Sequence, residues 1–301
     1  MSWARMPFVL LLISLLLINV PQGRPPDIVI THMPELGATA QDRRPDPYSI
    51  RLVTYNIRHG TGLDGQVDLR RVSSTLMAAD ADIIFLTEVD SRRRRSGFVD
   101  QPTELGMMLE MPYVAFAPAL ARRFPGMNAL YGNALLSRFP IEEAERISLP
   151  TSPWQEPRVV LSAAIRLPDN KVLRVIGTHL GLSHSDRLTQ AALLRELRSM
   201  YDTDHLVLMG DLNAHPDSPE IQLLLGGSGD GELAARWVDP IEGSRTPATF
   251  PTHAPRARID YILVSESLKS KIRAYSSPFS DASDHLPVLA ELSLVESGTH
   301  Q

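Results

Sequence analysis

From Ile50 to Leu294 the chain alternates short apolar runs, rich in Val, Ile and Leu, with polar turns, and several runs break off in Asn, Asp, Glu or His. Runs this short, at 50–57, 82–87, 113–117, 133–136, 159–167, 172–178, 205–209, 258–264 and 286–294, predict strands. Two segments carry helical spacing instead. One is 69–79; the other is 183–200, where Ser183 takes a capping position, Asp186 follows three residues later, and Leu188, Ala191, Ala192, Leu194 and Leu197 form an inner face. Strands joined partly by hairpin-length turns and partly by helices predict mixed sheets covered by helices, a layered α/β sandwich. The alternative, a doubly wound parallel sheet, needs a helix after nearly every strand.

The ends of the chain read differently. Residues 1–26 carry Arg5, an apolar run over 8–20 and then Pro21, Gly23, Pro25 and Pro26, the layout of a secretory signal or an uncleaved N-terminal anchor. Export follows from either, with membrane association through residues 7–20 if the segment stays. Residues 27–49, rich in Pro and Asp without a sustained period, read as a linker; 50–295 is then one domain and 296–301 a tail. The chain is expected to be a monomer.

Composition narrows the chemistry. With no Cys among 301 residues, disulfides, thiolate zinc sites, iron–sulfur clusters and cysteine nucleophiles are excluded. Any metal must sit on oxygen or imidazole. A formal charge of −5 gives no overall pull on a polyanion, which counts against a general nucleic-acid binder.

The polar strand ends share one theme. Thr-Tyr-Asn-Ile-Arg-His-Gly (54–60) supplies Asn56, Leu-Thr-Glu-Val-Asp (86–90) supplies Glu88, and Gly-Thr-His-Leu (177–180) supplies His179. Met-Gly-Asp-Leu-Asn-Ala (209–214) supplies Asp211 and Asn213, Arg-Ile-Asp-Tyr-Ile (258–262) supplies Asp260, and Ser-Asp-His-Leu-Pro-Val (283–288) supplies Asp284 and His285. Singly, each could end a turn, cap a helix or sit satisfied in a core. Together they suit one hard divalent cation plus a general base, and an oxygen-dominated donor set fits Mg²⁺ or Mn²⁺ better than zinc. No Gly-x-Ser-x-Gly elbow accompanies them, so a Ser-His-Asp hydrolase is excluded.

The Gly-Asp-Leu-Asn and Ser-Asp-His-Leu-Pro-Val motifs, in this order behind Asn, Glu and His stations, resemble the endonuclease/exonuclease/phosphatase superfamily over about 50–294. The resemblance implies a four-layer α/β sandwich of two mixed β-sheets flanked by helices, as in DNase I-like proteins. It implies a metal-dependent phosphoester hydrolase using a directly activated water, with a phosphodiester as the expected substrate and a secreted endonuclease or a catalytically silent binding module as alternatives. Glu88, Asn56 and Asp284 would then hold Mg²⁺; Asp211 would activate water with Asn213; and His285, polarised by Asp260, would act with His179 on the phosphoryl oxygens. Asn133, in a Tyr-Gly-Asn-Ala strand, and Arg158, in Glu-Pro-Arg-Val, resemble substrate-binding positions. The basic run at 92–95 could line the cleft for an anionic substrate, a lipid head group or nucleic acid, and Arg122 and Arg123 add a smaller basic pair.

Overall fold

The computed structural model describes residues 25–36, 48–124, 127–201, 203–226, 236–241 and 247–294. The segment at 1–24 and the tail from 295 lie outside the described residues. The chain runs through β1 (Val29–His32), β2 (Ser49–Asn56), α1 (Leu69–Ala79), β3 (Ile83–Ser91), α2 (Gln101–Met108), β4 (Tyr113–Phe124) and β5 (Met127–Ser137). It continues through β6 (Ile141–Ser148), β7 (Val159–Arg166), β8 (Val172–His179), α3 (His184–Met200), β9 (Leu206–Asp211) and α4 (Pro219–Leu225). The last elements are β10 (Asp260–Val264), α5 (Glu266–Lys269), β11 (Ile272–Ser276) and β12 (Val288–Ser293).

The strands form a seven-stranded sheet, ordered β1-β4-β5-β3-β2-β12-β11, and a five-stranded sheet, ordered β10-β9-β8-β7-β6. Each sheet is mixed through one parallel pair, β2 with β3 and β8 with β9. The crossovers that make those pairs parallel are α1 and α3, the two helices legible in the sequence. Every other pairing is antiparallel, which removes the doubly wound alternative.

Alternation sorts the side chains into layers. Ile50, Leu52, Ile83 and Phe85 of the larger sheet meet Leu161, Val175, Met209 and Ile262 of the smaller one in a central core. The opposite faces bury Val53, Tyr55, Ile84 and Leu86 with Val72, Leu76 and Leu105 of α1 and α2, and Val160, Ile176 and Leu208 with Ala191, Leu194 and Leu197 of α3. The result is helix, sheet, sheet, helix. At Gly177 a Cβ would lie 1.9 Å from the Phe85 ring, so the missing side chain lets the aromatic ring of one sheet press against the backbone of the other. This contact lies two residues below both Thr87 and His179 and fixes the sheet spacing beneath the polar strand ends.

Several expectations change. Part of the segment read as a linker is β1, antiparallel to β4; residues 37–47 lie outside the described residues. The strands at 113–117 and 133–136 are the open end of the longer hairpin β4–β5, which runs on toward its turn, where Arg122 pairs with Ala129. In α3, Ser183 caps the helix, yet the Asp186 carboxylate accepts from the Ser152 backbone N at 3.1 Å and anchors that loop instead of closing a capping box. Ala192 is exposed, and Gln190 takes a place on the buried face.

Candidate active site

The carboxyl ends of the two parallel pairs open side by side, the position where an α/β sheet leaves room for a ligand. On the smaller sheet Asp211 is the register partner of Asp260 on one side and of His179 on the other. All three continue the inward-facing rows of their strands, and none is more than 5% exposed. On the larger sheet Asn56 continues the inward row of β2. Glu88 gets there differently. A register shift between Leu86 and Val89 and a left-handed backbone at Glu88, with φ of 59°, break the strict alternation of β3. Its carboxylate then meets Asn56: Asn56 Nδ2 donates to Glu88 Oε1 at 3.1 Å and to Asp211 Oδ2 at 3.0 Å, tying the two sheets together.

His285 arrives on the loop before β12. Ser283 Oγ donates to the Asn56 carbonyl at 2.7 Å and accepts from the His285 backbone N at 3.3 Å, while Leu286 N donates to the Thr249 carbonyl. The imidazole is packed against the Phe250 ring, 4.8 Å between centroids. Its Nδ1 donates to Asp260 Oδ2 at 2.9 Å, and its Nε2 lies 3.7 Å from Asp211 Oδ2.

The electrostatics follow from burial and neighbours. Burial alone would lower the His285 pKa, but the Asp260 and Asp211 carboxylates outweigh it and raise it to about 10, so the ring is an imidazolium at neutral pH. Burial, then the Asp260 charge, push the Asp211 carboxyl up to about 7. His179 goes the other way: burial, then Arg158 and His285, hold it well below its ordinary value. Both its ring nitrogens face donors, Arg158 Nη1 at 3.1 Å and Asn213 Nδ2 at 2.9 Å, which disfavours a charged ring. Asn213 is held by its own backbone N, which donates to Asp211 Oδ1 at 3.0 Å.

The donor set fits a divalent cation. Asp211, Asp260 and, as a neutral ring only, His285 bring ligand-type atoms within 4.8 Å of one another, and Asp260 Oδ1 is buried with no hydrogen-bond partner among the described residues. Burial pushes the Glu88 carboxyl up from its usual range, and the nearby Asp284 and Glu156 carboxylates add to the rise. A hard cation relieves that accumulation of negative charge. Asp284 lies toward the rim, with Oδ2 3.5 Å from Arg58 Nε.

The two substrate-binding expectations fall in different places. Arg158 is buried beside His179, paired through Nη1 with Glu156 at 2.8 Å, and its Nε is buried with no hydrogen-bond partner among the described residues. Asn133 Nδ2 donates to the Val159 carbonyl at 3.0 Å, so this amide N–H joins the sheets under the cleft. Thr249, Phe250 and Arg58 were not singled out in the sequence. The signal at Thr249 and Phe250 is a Thr-Phe-Pro sequence that precedes β10 and β11, far along the chain from the histidine it supports.

The Endonuclease/Exonuclease/phosphatase family matches residues 53–285, most of the chain and all eight catalytic and metal-site candidates. The chain belongs to that family. Its members hydrolyse phosphoesters, which supports the same class of activity for this chain. An Escherichia coli (strain K12) protein called uncharacterised, YbhP, is 27% identical over 257 residues, 82% of this chain and 97% of its own length. Among solved structures, a Beutenbergia cavernae endonuclease/exonuclease/phosphatase is similar with a TM-score of 0.62 and 22% identity, over 82% of this chain and 72% of that one. A Bacteroides thetaiotaomicron mannosyl-6-phosphatase has a TM-score of 0.62 and 18% identity, over 81% and 99%. ANGEL2, a 2′,3′-cyclic phosphatase, has a TM-score of 0.56 and 16% identity, over 82% and 95%. At these identities the likeness is one of fold.

Proposed function

We propose that the protein is a Mg²⁺- or Mn²⁺-dependent hydrolase that cleaves a phosphoester, most readily a phosphodiester, by direct attack of water. The observation that carries this reading is the row Asp260–Asp211–His179 on one sheet facing Asn56 and Glu88 on the other, with His285 between Asp260 and Asp211. Glu88, with Asn56 and Asp284, would hold the cation, whose chemistry is to polarise a phosphoryl oxygen and neutralise developing charge.

The chain's own groups divide the remaining work. Asp211, with a pKa near neutrality, is matched to take a proton from the attacking water, and Asn213 orients that water. The His285 imidazolium, held by Asp260, donates to a phosphoryl oxygen as charge spreads in the transition state. Arg158 and His179 line the adjoining wall and bind the phosphate in place. The apolar run at 8–20 with its Pro-rich exit supports action outside the cytoplasm.

The test is a hydrolysis panel with and without EDTA. It contains a nitrophenyl phosphodiester, a 2′,3′-cyclic nucleotide, a sugar phosphate, plasmid DNA and a phospholipid, because similar folds include a sugar phosphatase and a cyclic phosphatase. Metal-dependent release from a diester supports the reading; no hydrolysis of any member, or full hydrolysis in EDTA, overturns it.

A further inference from the structure

We infer that the groove between the 93–95 turn and β4 is a subsite for a second phosphate group carried by the substrate. The inference rests on the phosphoester reading above and adds what else the substrate must bear. The groove has a volume of about 460 Å³ and is lined by Arg93, Arg94, Arg95, Arg122 and Ala129.

The arginine run does not act as one patch. Arg92 turns away, 3.9 Å from Asp100, and lines a separate cleft with Val29 and Thr31. Arg95 makes a bidentate pair with the fully buried Asp90, Nε to Oδ2 and Nη2 to Oδ1 at 2.8 Å each, and Ser96 Oγ donates to the same carboxylate. Arg93 Nε stands 3.7 Å from Asp90, and the guanidinium carbons of Arg93 and Arg95 lie 5.6 and 5.1 Å from the centre of the Tyr131 ring. These two arginines form a fixed wall. Arg94 and Arg122 are exposed, and among the described residues neither has a carboxylate or hydrogen-bond partner for its guanidinium.

Four guanidiniums therefore surround one cavity against a single paired carboxylate, in a chain whose net charge is −5. Arg95 and Arg122 both repel the charge on Arg93, an arrangement that an anion in the groove relieves. A terminal phosphate, with close to two negative charges and three acceptor oxygens, matches the two open forks better than a singly charged group. The confined patch suits a compact anion; an extended polyanion would need a longer basic track.

The groove adjoins the catalytic end. Asp90 lies two residues beyond Glu88 on β3 and is the register partner of Tyr131, and the Glu88 charge acts on both Arg95 and Tyr131. A substrate with its scissile phosphate at Asp211 and a second phosphate at Arg94 and Arg122 would span the two.

Calorimetric titration of the full-length protein with inorganic phosphate, in EDTA and at constant ionic strength set with chloride, tests the subsite apart from turnover. Arg94→Ala and Arg122→Ala should each raise the Kd about tenfold or more, since each removes charge-assisted hydrogen bonds. Arg94→Lys should recover part of the loss, because charge remains without the planar fork. Arg70→Ala, an exposed arginine on α1, should change nothing. Absence of phosphate binding, indifference to Arg94 and Arg122, or an equal loss in Arg70→Ala would each overturn the subsite. Phosphate binding that depends on Arg94 and Arg122 in a protein that hydrolyses nothing would overturn the hydrolase reading alone; hydrolysis without such binding would overturn the subsite alone.

Discussion

Asn56 and Asp211 stand on different sheets, yet the Asn56 amide donates to the Asp211 carboxylate at 3.0 Å. The same nitrogen donates to Glu88, so one NH₂ group spaces the expected metal carboxylate from the expected base. Asn56→Ala should keep the fold and lower kcat by about 10²-fold, because both carboxylates lose the group that fixes their separation. Steady-state kinetics with circular dichroism on the same sample checks this; a kcat within a few-fold of the parent contradicts it.

Glu88→Gln should raise the Mg²⁺ concentration needed for half-maximal activity, since a formal charge leaves a half-buried oxygen donor. A metal titration of the rate reads the shift directly. An unchanged midpoint would mean that the cation is held elsewhere, with Asp211, Asp260 and His285 the next set to examine.

The two histidines should titrate on opposite sides of the ordinary imidazole value in metal-free protein. His285 lies above its ordinary 6.5, at about 10, so its imidazolium persists below that pH and is lost as pH rises through it. His179 is shifted well below 6.5 and stays neutral across the same interval. Side-chain ¹⁵N NMR distinguishes the forms, and Asp260→Asn should bring the His285 midpoint down. Two histidines titrating together near 6.5 would contradict the assignment.

Gly177→Ala should destabilise the protein by about 1–3 kcal/mol, the usual effect of overpacking a filled core. Its Cβ would meet the Phe85 ring at 1.9 Å, beneath the site. Denaturant unfolding measures the loss; an unchanged midpoint would show that the sheets separate freely. Pairing it with Phe85→Leu, which makes room, should recover part of the stability.

The candidate site residues were legible because they occupy strand ends, where a change from apolar to Asn, Glu, His or Asp stands out against a buried run. Both crossover helices were legible for a similar reason: their apolar faces repeat with helical spacing over a long enough stretch. Among the edge strands β10 was legible and β1, β6 and β11 were not. β6 reads Ile-Glu-Glu-Ala-Glu-Arg-Ile-Ser and β11 Ile-Arg-Ala-Tyr-Ser, charged on the side that faces water, so neither resembles a buried run. The division of the arginine run was also invisible, since it depends on a buried Asp90 that claims Arg95 and on Arg122 arriving from a hairpin. Asn133 resembled a substrate ligand in sequence, while its N–H bond to the Val159 carbonyl is a contact between sheets that no local pattern encodes.

The most direct test compares kcat for Asp211→Asn and His285→Ala with the parent on a phosphodiester that the parent hydrolyses in Mg²⁺, each variant verified as folded by circular dichroism. Both substitutions remove interactions made where charge develops, so kcat should fall by about 10²-fold or more in each. Near-parental kcat in either folded variant would contradict the assignment of the water-activating carboxylate and the phosphoryl-stabilising imidazolium.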